Sequence, residues 1–398
     1  MAGARGIVFI RLQTFMRIAI FSNTYLPRLS GPSISISQTV AWLRRHGHTA
    51  QLIVPEYSSV FSSRPREAGV TRVSAFRLFS FGSFAIPLPV GSMVVRRVLD
   101  RLRPDVVHIH QPFLLGTVGM QEACRRNLPL VYTFHTMYHV YAGYLGFAKF
   151  WMQEQMKRQS IRVCQAADRV IVPTRAIQGV LEGGGVKTPI KIIPTGIQLH
   201  RYLSHPSAQA LCAVRQSLRI GQKQPMLLYV GRMGKEKNVR LVCEAIVRIR
   251  RIRPEVVTVF IGSGTEERRL RVFFEKHGCQ DVVRWMGIQS QSALPSYYHA
   301  ADLFVFPSTS DTQAIVLYEA LAAGLPIVAV DSMAAREAIE AEKNGLITGL
   351  TSRAFSDGIM EGLRRKSRLH ARLDPRAYAA DVIAERHLKL YQSFYSGG

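Results

Sequence analysis

LFVFPSTSDTQAIVLYEALAAGLPIVAV, residues 303–330, decides how the rest of the chain is read. Two apolar runs of strand length, LFVF and IVAV, bracket a polar turn and a short helix. Ser308, Ser310 and Asp311 offer helix-starting oxygens, Gly324 stands where a helix ends in a left-handed residue, and Pro326 stops continuation. The helix, AIVLYEALAA, is apolar nearly all round, so protein encloses it. Glu319 is the only charged residue from Thr312 to Val330. Its carboxylate needs an ion pair, a hydrogen bond or a ligand, because desolvating it alone is costly; an arginine elsewhere would satisfy it as well as a ligand would. Asp311 lies at the turn feeding the helix N-terminus, where free N–H groups and the dipole favour an anion such as phosphate.

The 398 residues suffice for two domains of ordinary size, and 47% hydrophobic content is that of a globular protein. No apolar run approaches the length of a membrane span. Residues 1–15 read as an extension, without the cleavage site of a signal peptide, and Met16 offers an alternative start. Five scattered cysteines without a Cys-x-x-Cys pattern fit reduced thiols in a cytoplasmic protein. The net charge is +25, and residues 1–200 carry the greater share, with 24 Lys/Arg against 8 Asp/Glu. Such a balance attracts anionic lipid or nucleic acid, or marks a basic, solvated surface. No nucleic-acid recognition module accompanies it, which sets that partner aside.

Strand and helix alternate through the first half: RIAIFS at 17–22, a helix near 35–45, QLIVP, VSAFRLF, a helix at 91–103, VVHIH, LVYTFH and RVIVP. This rhythm implies a parallel sheet with ligands beyond the carboxyl ends of its strands. His110 and His135 end two of those strands. With His108 and His139 they form a cluster open to a metal reading, but Glu122 is the only carboxylate from His108 to Thr136 and no zinc motif is present, so no metal is expected. Residues 76–91 read as a Phe-rich loop. In the helix that follows, Val94, Val95, Val98, Leu99 and Leu102 share one face, opposite Arg96, Arg97, Arg101 and Arg103. The apolar face suits the protein's own sheet; the arginines and phenylalanines, with the aromatic stretch at 138–151, suit an anionic membrane surface or an inter-domain core.

The second half opens with strand MLLYV, then GRMGKEKN, whose Arg232 and Lys237 suit a diphosphate. Without a Gly-Lys-Ser/Thr element it is no P-loop, and IGSGT lacks the third glycine of a dinucleotide fingerprint.

Acid, seven residues, Glu, a small-residue helix and Gly-x-Pro together resemble the signature of the retaining, nucleotide-sugar-dependent glycosyltransferases of the fourth family. The order GRMGKEKN, IGSGT, MGIQ and DTQAIVLYE is also similar to theirs over residues 190–350, with looser resemblance over 16–190. STSDTQAIVLYEALAAG looks most like the bacterial members that glycosylate diacylglycerol or phosphatidylinositol. The resemblance implies an α/β protein of GT-B fold, two Rossmann-like parallel-sheet domains facing a central cleft. An acceptor-side domain at 16–195 would be completed by a C-terminal helix at 377–395, with a nucleotide-sugar domain at 196–376. It implies donor contacts from Gly231, Arg232, Lys237, the Ile288 backbone, Asp311, Gln313, Ala314, Ile315, Val316 and Glu319, with Glu319 on the ribose and Asp311 on the sugar. Gly31, His110 and His135 would lie on the acceptor side, and His135, Asp311, Arg232 and Lys237 at the transferring centre. The departures are Gln198 for Asp, Asp311 for Glu, Ala314 for Gly, and Ala334-Ala335 for paired glycines.

The implied activity is a retaining, metal-independent hexosyl transfer from a nucleotide-sugar, expected to be UDP-glucose, to a membrane lipid such as diacylglycerol. The nucleotide-sugar is a substrate and no cofactor is called for. No Asp-x-Asp occurs, so the two cations and the helix N-terminus would carry the leaving group's charge. The implied place is cytoplasmic, peripheral on the inner face of the membrane. A soluble or envelope saccharide acceptor, and a degenerate nucleotide- or membrane-binding relative, are the rival readings.

Overall fold

Runs of β-branched and aromatic residues spaced by helices dictate the architecture. The computed structural model describes residues 15–26, 30–56, 67–81, 84–89, 92–135, 137, 149–369 and 375–396. The chain opens with β1 (Arg17–Phe21), α1 (Gly31–Arg45), β2 (Thr49–Pro55), β3 (Val70–Val73), β4 (Ala75–Phe81) and β5 (Phe84–Pro89). Then come α2 (Ser92–Leu102), β6 (Val106–Ile109), α3 (Leu115–Arg125), β7 (Leu130–Thr133), α4 (Lys149–Ala166), β8 (Arg169–Val172), α5 (Arg175–Gly183) and β9 (Ile190–Ile192). The second half runs α6 (Leu199–Leu203), α7 (Ala208–Ser217), β10 (Met226–Val230), α8 (Val239–Arg250), β11 (Val257–Ile261), α9 (Glu267–Lys276), β12 (Val283–Trp285) and α10 (Leu294–Ala300). It continues with β13 (Leu303–Phe306), α11 (Ile315–Ala322), β14 (Ile327–Val330), α12 (Met333–Ala338), β15 (Gly345–Thr348), α13 (Ser352–Arg365), α14 (Pro375–Tyr378) and α15 (Ala380–Gln392).

Two parallel sheets result, ordered β3-β2-β1-β6-β7-β8-β9 and β12-β11-β10-β13-β14-β15. Each is buried on both faces, as helices on either side require. In the first, Ala19, Phe21, Val107, Ile109 and Tyr132 pack towards Val95, Leu99 and Val163, while Ile18, Ile20, Val106 and Val131 face Ile36, Val40 and Leu43. Ile383, Ala384 and Tyr391 of α15 join the second group, so the chain's end closes the first domain's core.

Three expectations need correction. VSAFRLF is extended as read, but it breaks at Ser74, and the Phe-rich stretch beyond is no loop: β4 lies outside the parallel sheet and pairs antiparallel with β5. Helix α1 starts at Gly31 rather than near Ser35, because Ser30 and Ser33 form a capping box and Pro32 fixes the first turn. On α2, Val95 and Leu99 are buried but Val94 and Met93 are exposed. The stripe facing the sheet is therefore narrower than the run of valines. Residues 1–14 and 138–148, His139 among them, lie outside the described residues.

Helix α11 begins unexpectedly. Ala314 enters it with φ 56° and ψ 74°, and no side chain caps it. Ser310 Oγ instead donates to the Glu236 carbonyl at 2.9 Å, and Asp311 pairs with Lys237. Tertiary partners claim the oxygens that would have capped the helix. Gly324, with φ 74°, ends the helix as its sequence position requires.

At the carboxyl edge of the first sheet, four imidazoles are packed together. His110 Nδ1 and His135 Nε2 share a hydrogen bond of 2.7 Å, and the His108 ring lies tilted against His110 with centroids 4.1 Å apart. The two nitrogens of His108 meet the Tyr391 hydroxyl and Thr133 Oγ1, each at 2.7 Å, and the His387 ring lies 5.9 Å away. Among the described residues no group of three or more His, Cys, Asp or Glu is arranged to hold a metal. Burial, with the neighbouring imidazoles, holds His108 and His110 well below the ordinary range; burial brings His135 down to about 3 and His387 to about 4.

Two outcomes follow from this packing. Below the unfolded pKa of about 6.5 the unfolded chain takes up protons that the fold refuses, so stability falls with pH, by up to about 1.4 kcal/mol per pH unit for each imidazole. Urea unfolding at about pH 7.5 and about pH 5 reads this; equal stabilities would contradict neutral, buried rings. Ala314→Gly removes a left-handed alanine worth about 1–2 kcal/mol of strain, against about 0.5–1 kcal/mol of added chain entropy. A small rise in stability is expected, and a loss would show that alanine is not strained there.

Candidate functional site

The carboxyl ends of both sheets carry the residues in question. In the second domain the loops after β10 and β11 continue the ladder beyond the strands: Gly231 N–H donates to Ile261 O at 2.9 Å and Met233 N–H to Ser263 O at 2.9 Å. A Cβ on Gly262 would stand 1.9 Å from the Gly231 carbonyl, so only glycine permits this approach. Gly262 N–H also reaches Gly287 O at 2.7 Å, which places exposed Ile288 on the same rim.

Arg232 and Lys237 leave this loop towards carboxylates, Arg232 pairing with Glu236 and Lys237 with Asp311. Asn238 Nδ2 donates to Pro307 O at 3.4 Å, tying the loop further to the one after β13. Burial pushes the Asp311 carboxyl up, but Lys237, the Ser308 hydroxyl and Arg232 together outweigh it and hold the group below its usual range. Asp311 is thus an anion between two cations. Its Oδ2 is buried and accepts no hydrogen bond among the described residues. The uncapped start of α11 lies three residues on, with its first N–H groups and positive dipole end.

Glu319 sits one turn inside α11 and is buried. Tyr298 donates its hydroxyl to Glu319 Oε2 at 2.7 Å, and the Tyr202 hydroxyl stands beside the same carboxylate without hydrogen-bond geometry. Burial raises the Glu319 pKa and the tyrosines partly offset the rise. Tyrosines, rather than an arginine, answer the need for a partner.

Across the cleft, Thr312 Oγ1 donates to the His135 carbonyl at 2.6 Å, and Thr174 Oγ1 donates to the Thr312 carbonyl at 3.2 Å. A Cβ on Gly31 would meet Ile315 Cδ1 at 3.2 Å, so the starts of α1 and α11 nearly touch. Gly31, His135, Asp311 and Ile315 therefore converge, with Arg232 and Lys237 behind them. His110 reaches this group through His135. Gln313 turns elsewhere: its carboxamide accepts from Thr195 N–H at 2.6 Å and donates to Thr195 O at 3.2 Å. Val316 is half-buried on α11.

Sequence reasoning missed Glu236, Thr174, Thr312 as a bridge, and the two tyrosines. Glu236 had a local signal, a carboxylate four residues after Arg232. The others are contacts between distant segments and had none.

Residues 29–201 match the Glycosyltransferase Family 4 model and residues 213–380 the model for Glycosyl transferases group 1. Alpha-monoglucosyldiacylglycerol synthase of Acholeplasma laidlawii is 30% identical over 340 residues, covering 83% of this chain and 84% of that protein. GDP-mannose-dependent alpha-mannosyltransferase of Mycobacterium tuberculosis is 27% identical over 343 residues, 83% of each chain. Sucrose-phosphate synthase from Thermosynechococcus elongatus shares the fold with a TM-score of 0.79 at 20% identity, over 96% of this chain and 99% of that one. With both halves matched in order and a relative 30% identical over most of both chains, the chain belongs to the group 1 glycosyltransferases of family 4.

Proposed function

We propose that this glycosyltransferase transfers glucose from UDP-glucose to a diacylglycerol-type lipid, with retention at the anomeric carbon and without a metal. The observation that carries the reading is the meeting of Arg232, Lys237, Asp311 and the start of α11 at one rim, opposite His135. Arg232, Lys237 and the helix N-terminus would take the charge of the departing nucleotide diphosphate. Asp311 would accept hydrogen bonds from the sugar hydroxyls and Glu319 from the ribose. His135, neutral at physiological pH, would hydrogen-bond the sugar without adding charge near the leaving group. The bond from the anomeric carbon to the phosphate breaks, and the acceptor oxygen bonds to that carbon on the same face. The acceptor's proton passes to the departing phosphate, so no carboxylate nucleophile is required.

The lipid acceptor rests on the first domain. Exposed Met93 and Val94 on α2 stand beside exposed Arg97 and Arg101, and Trp151 on α4 is also exposed. Such a mixture suits the surface of an anionic bilayer, where each basic residue adds about 1 kcal/mol. Among the described residues no helix is long and apolar enough to cross a membrane. The name of the Acholeplasma relative points to the same acceptor class. A peripheral place on the cytoplasmic face is the corresponding location.

Calorimetry with UDP, GDP and their glucose and mannose conjugates, without added metal, tests the donor. UDP and UDP-glucose bind, and Glu319→Gln weakens them by about 10-fold through loss of a charged hydrogen bond; no binding by any of the four would overturn the reading. For the acceptor, the protein co-sediments with anionic liposomes at low salt and is released as salt rises. Absence of binding at low salt would turn the reading towards a soluble saccharide.

A further inference from the structure

The chain passes between the two domains twice, through residues 193–198 and again at 376–380, and the two passages are fastened together. Ile197 N–H donates to Tyr378 O at 2.9 Å, and Ala380 N–H donates to Ile197 O at 3.0 Å. A Cβ on Gly196 would stand 2.7 Å from Ala380 Cα. The hinge is thus an isolated parallel bridge, Ile197 against Ala379, rather than two loose tethers.

Gln313 reaches into this hinge from the donor side. It is 4% exposed, and its carboxamide forms two bonds to one residue, Thr195, taking the N–H and giving to the C=O. A two-point grip on one residue's backbone fixes orientation as well as distance. The neighbours of Gln313 are committed in other directions. Asp311 holds Lys237, Thr312 spans to His135 and Thr174, and Ala314 turns the chain into α11. Four consecutive residues therefore link the diphosphate cations, the opposite domain, the hinge and the helix start. Both partners of the Gln313 pair are buried, so a hinge rotation that parted them would leave amide groups without hydrogen bonds. The loop must then follow the hinge.

We infer that Gln313 is a positioning residue that couples the hinge at Thr195 to the placement of Asp311 and the start of α11. This rests on the donor site proposed above. It assigns Gln313 to domain orientation in place of the direct donor contact implied by family resemblance.

The test uses the full chain carrying Gln313→Met, which keeps the shape and removes both bonds, and Gln313→Glu, which keeps an acceptor for Thr195 N–H and repels Thr195 O. Three quantities are read: hydrogen exchange of peptides covering 193–198, affinity for UDP and GDP, and kcat and KM with UDP-glucose and diacylglycerol. In Gln313→Met, hinge amides exchange faster and kcat falls by about 10-fold, while affinity for the nucleotide stays within about 3-fold. Gln313→Glu shifts hinge exchange and kcat in the same direction. Unchanged hinge exchange would overturn the proposal, as would faster exchange with unaltered kcat. A loss of nucleotide affinity matching the loss of kcat would make Gln313 a donor contact instead. Failure of the wild type to bind either nucleotide would strike the donor site itself, a result separate from all of these.

Discussion

The ion pair between Lys237 and Asp311 is the contact on which the site depends. It joins the loop after β10 to the loop after β13, and both groups are largely withdrawn from solvent. A buried pair of this kind adds little net stability, but removing one partner strands the other charge in a poor solvent. That asymmetry gives the pair its structural meaning. Lys237 is held against Asp311 at the proposed donor site, and Asp311 is kept ionised although burial favours its acid form. Asp in place of the family's usual Glu fits this arrangement, because the long lysine side chain spans the distance that the shorter carboxylate does not.

The same loop faces the first domain, and most of its side chains are committed to distant partners. Ser310 is taken by Glu236, Thr312 by His135 and Thr174, and Gln313 by the hinge. With no hydroxyl left to cap α11, the helix begins from a left-handed alanine and its first amides stay uncapped by side chains. An uncapped, dipole-aligned helix start is a weakness in an ordinary helix and an asset where an anion is to bind.

The strands were legible because a parallel sheet covered on both faces needs unbroken apolar runs, and VVHI, LVYT, MLLYV, LFVF and IVAV each supply one. The buried helix with its single acid was legible for the same reason. What escaped the sequence was decided by partners far along the chain. Ser308 and Ser310 form a good capping pattern, yet Glu236, over seventy residues away, outcompetes the helix for Ser310. The hairpin of β4 and β5 was obscured by Pro87 and Pro89, which deny backbone donors to a ladder and suit only an edge. Tyr298 gave no sign of pairing with Glu319, since a tyrosine in an apolar helix reads as core.

The arginines on and just beyond α2 and α3 divide into two kinds. Glu122, buried on α3, is met by Arg96, Arg125 and Arg126, and Arg126 also pairs with Asp100. These arginines join α2 to α3 and satisfy a carboxylate that burial alone would push towards its neutral form. They are therefore part of the scaffold, and salt would affect them less than it affects fully exposed charges. Arg97 and Arg101 stay exposed on α2, near Met93 and Val94, with exposed Arg103 just past its end. At this helix a count of basic residues overstates what an anionic surface would meet, because Arg96 is committed to Glu122. The membrane reading thus depends on a short, mixed patch at one helix rather than on the net charge of the chain.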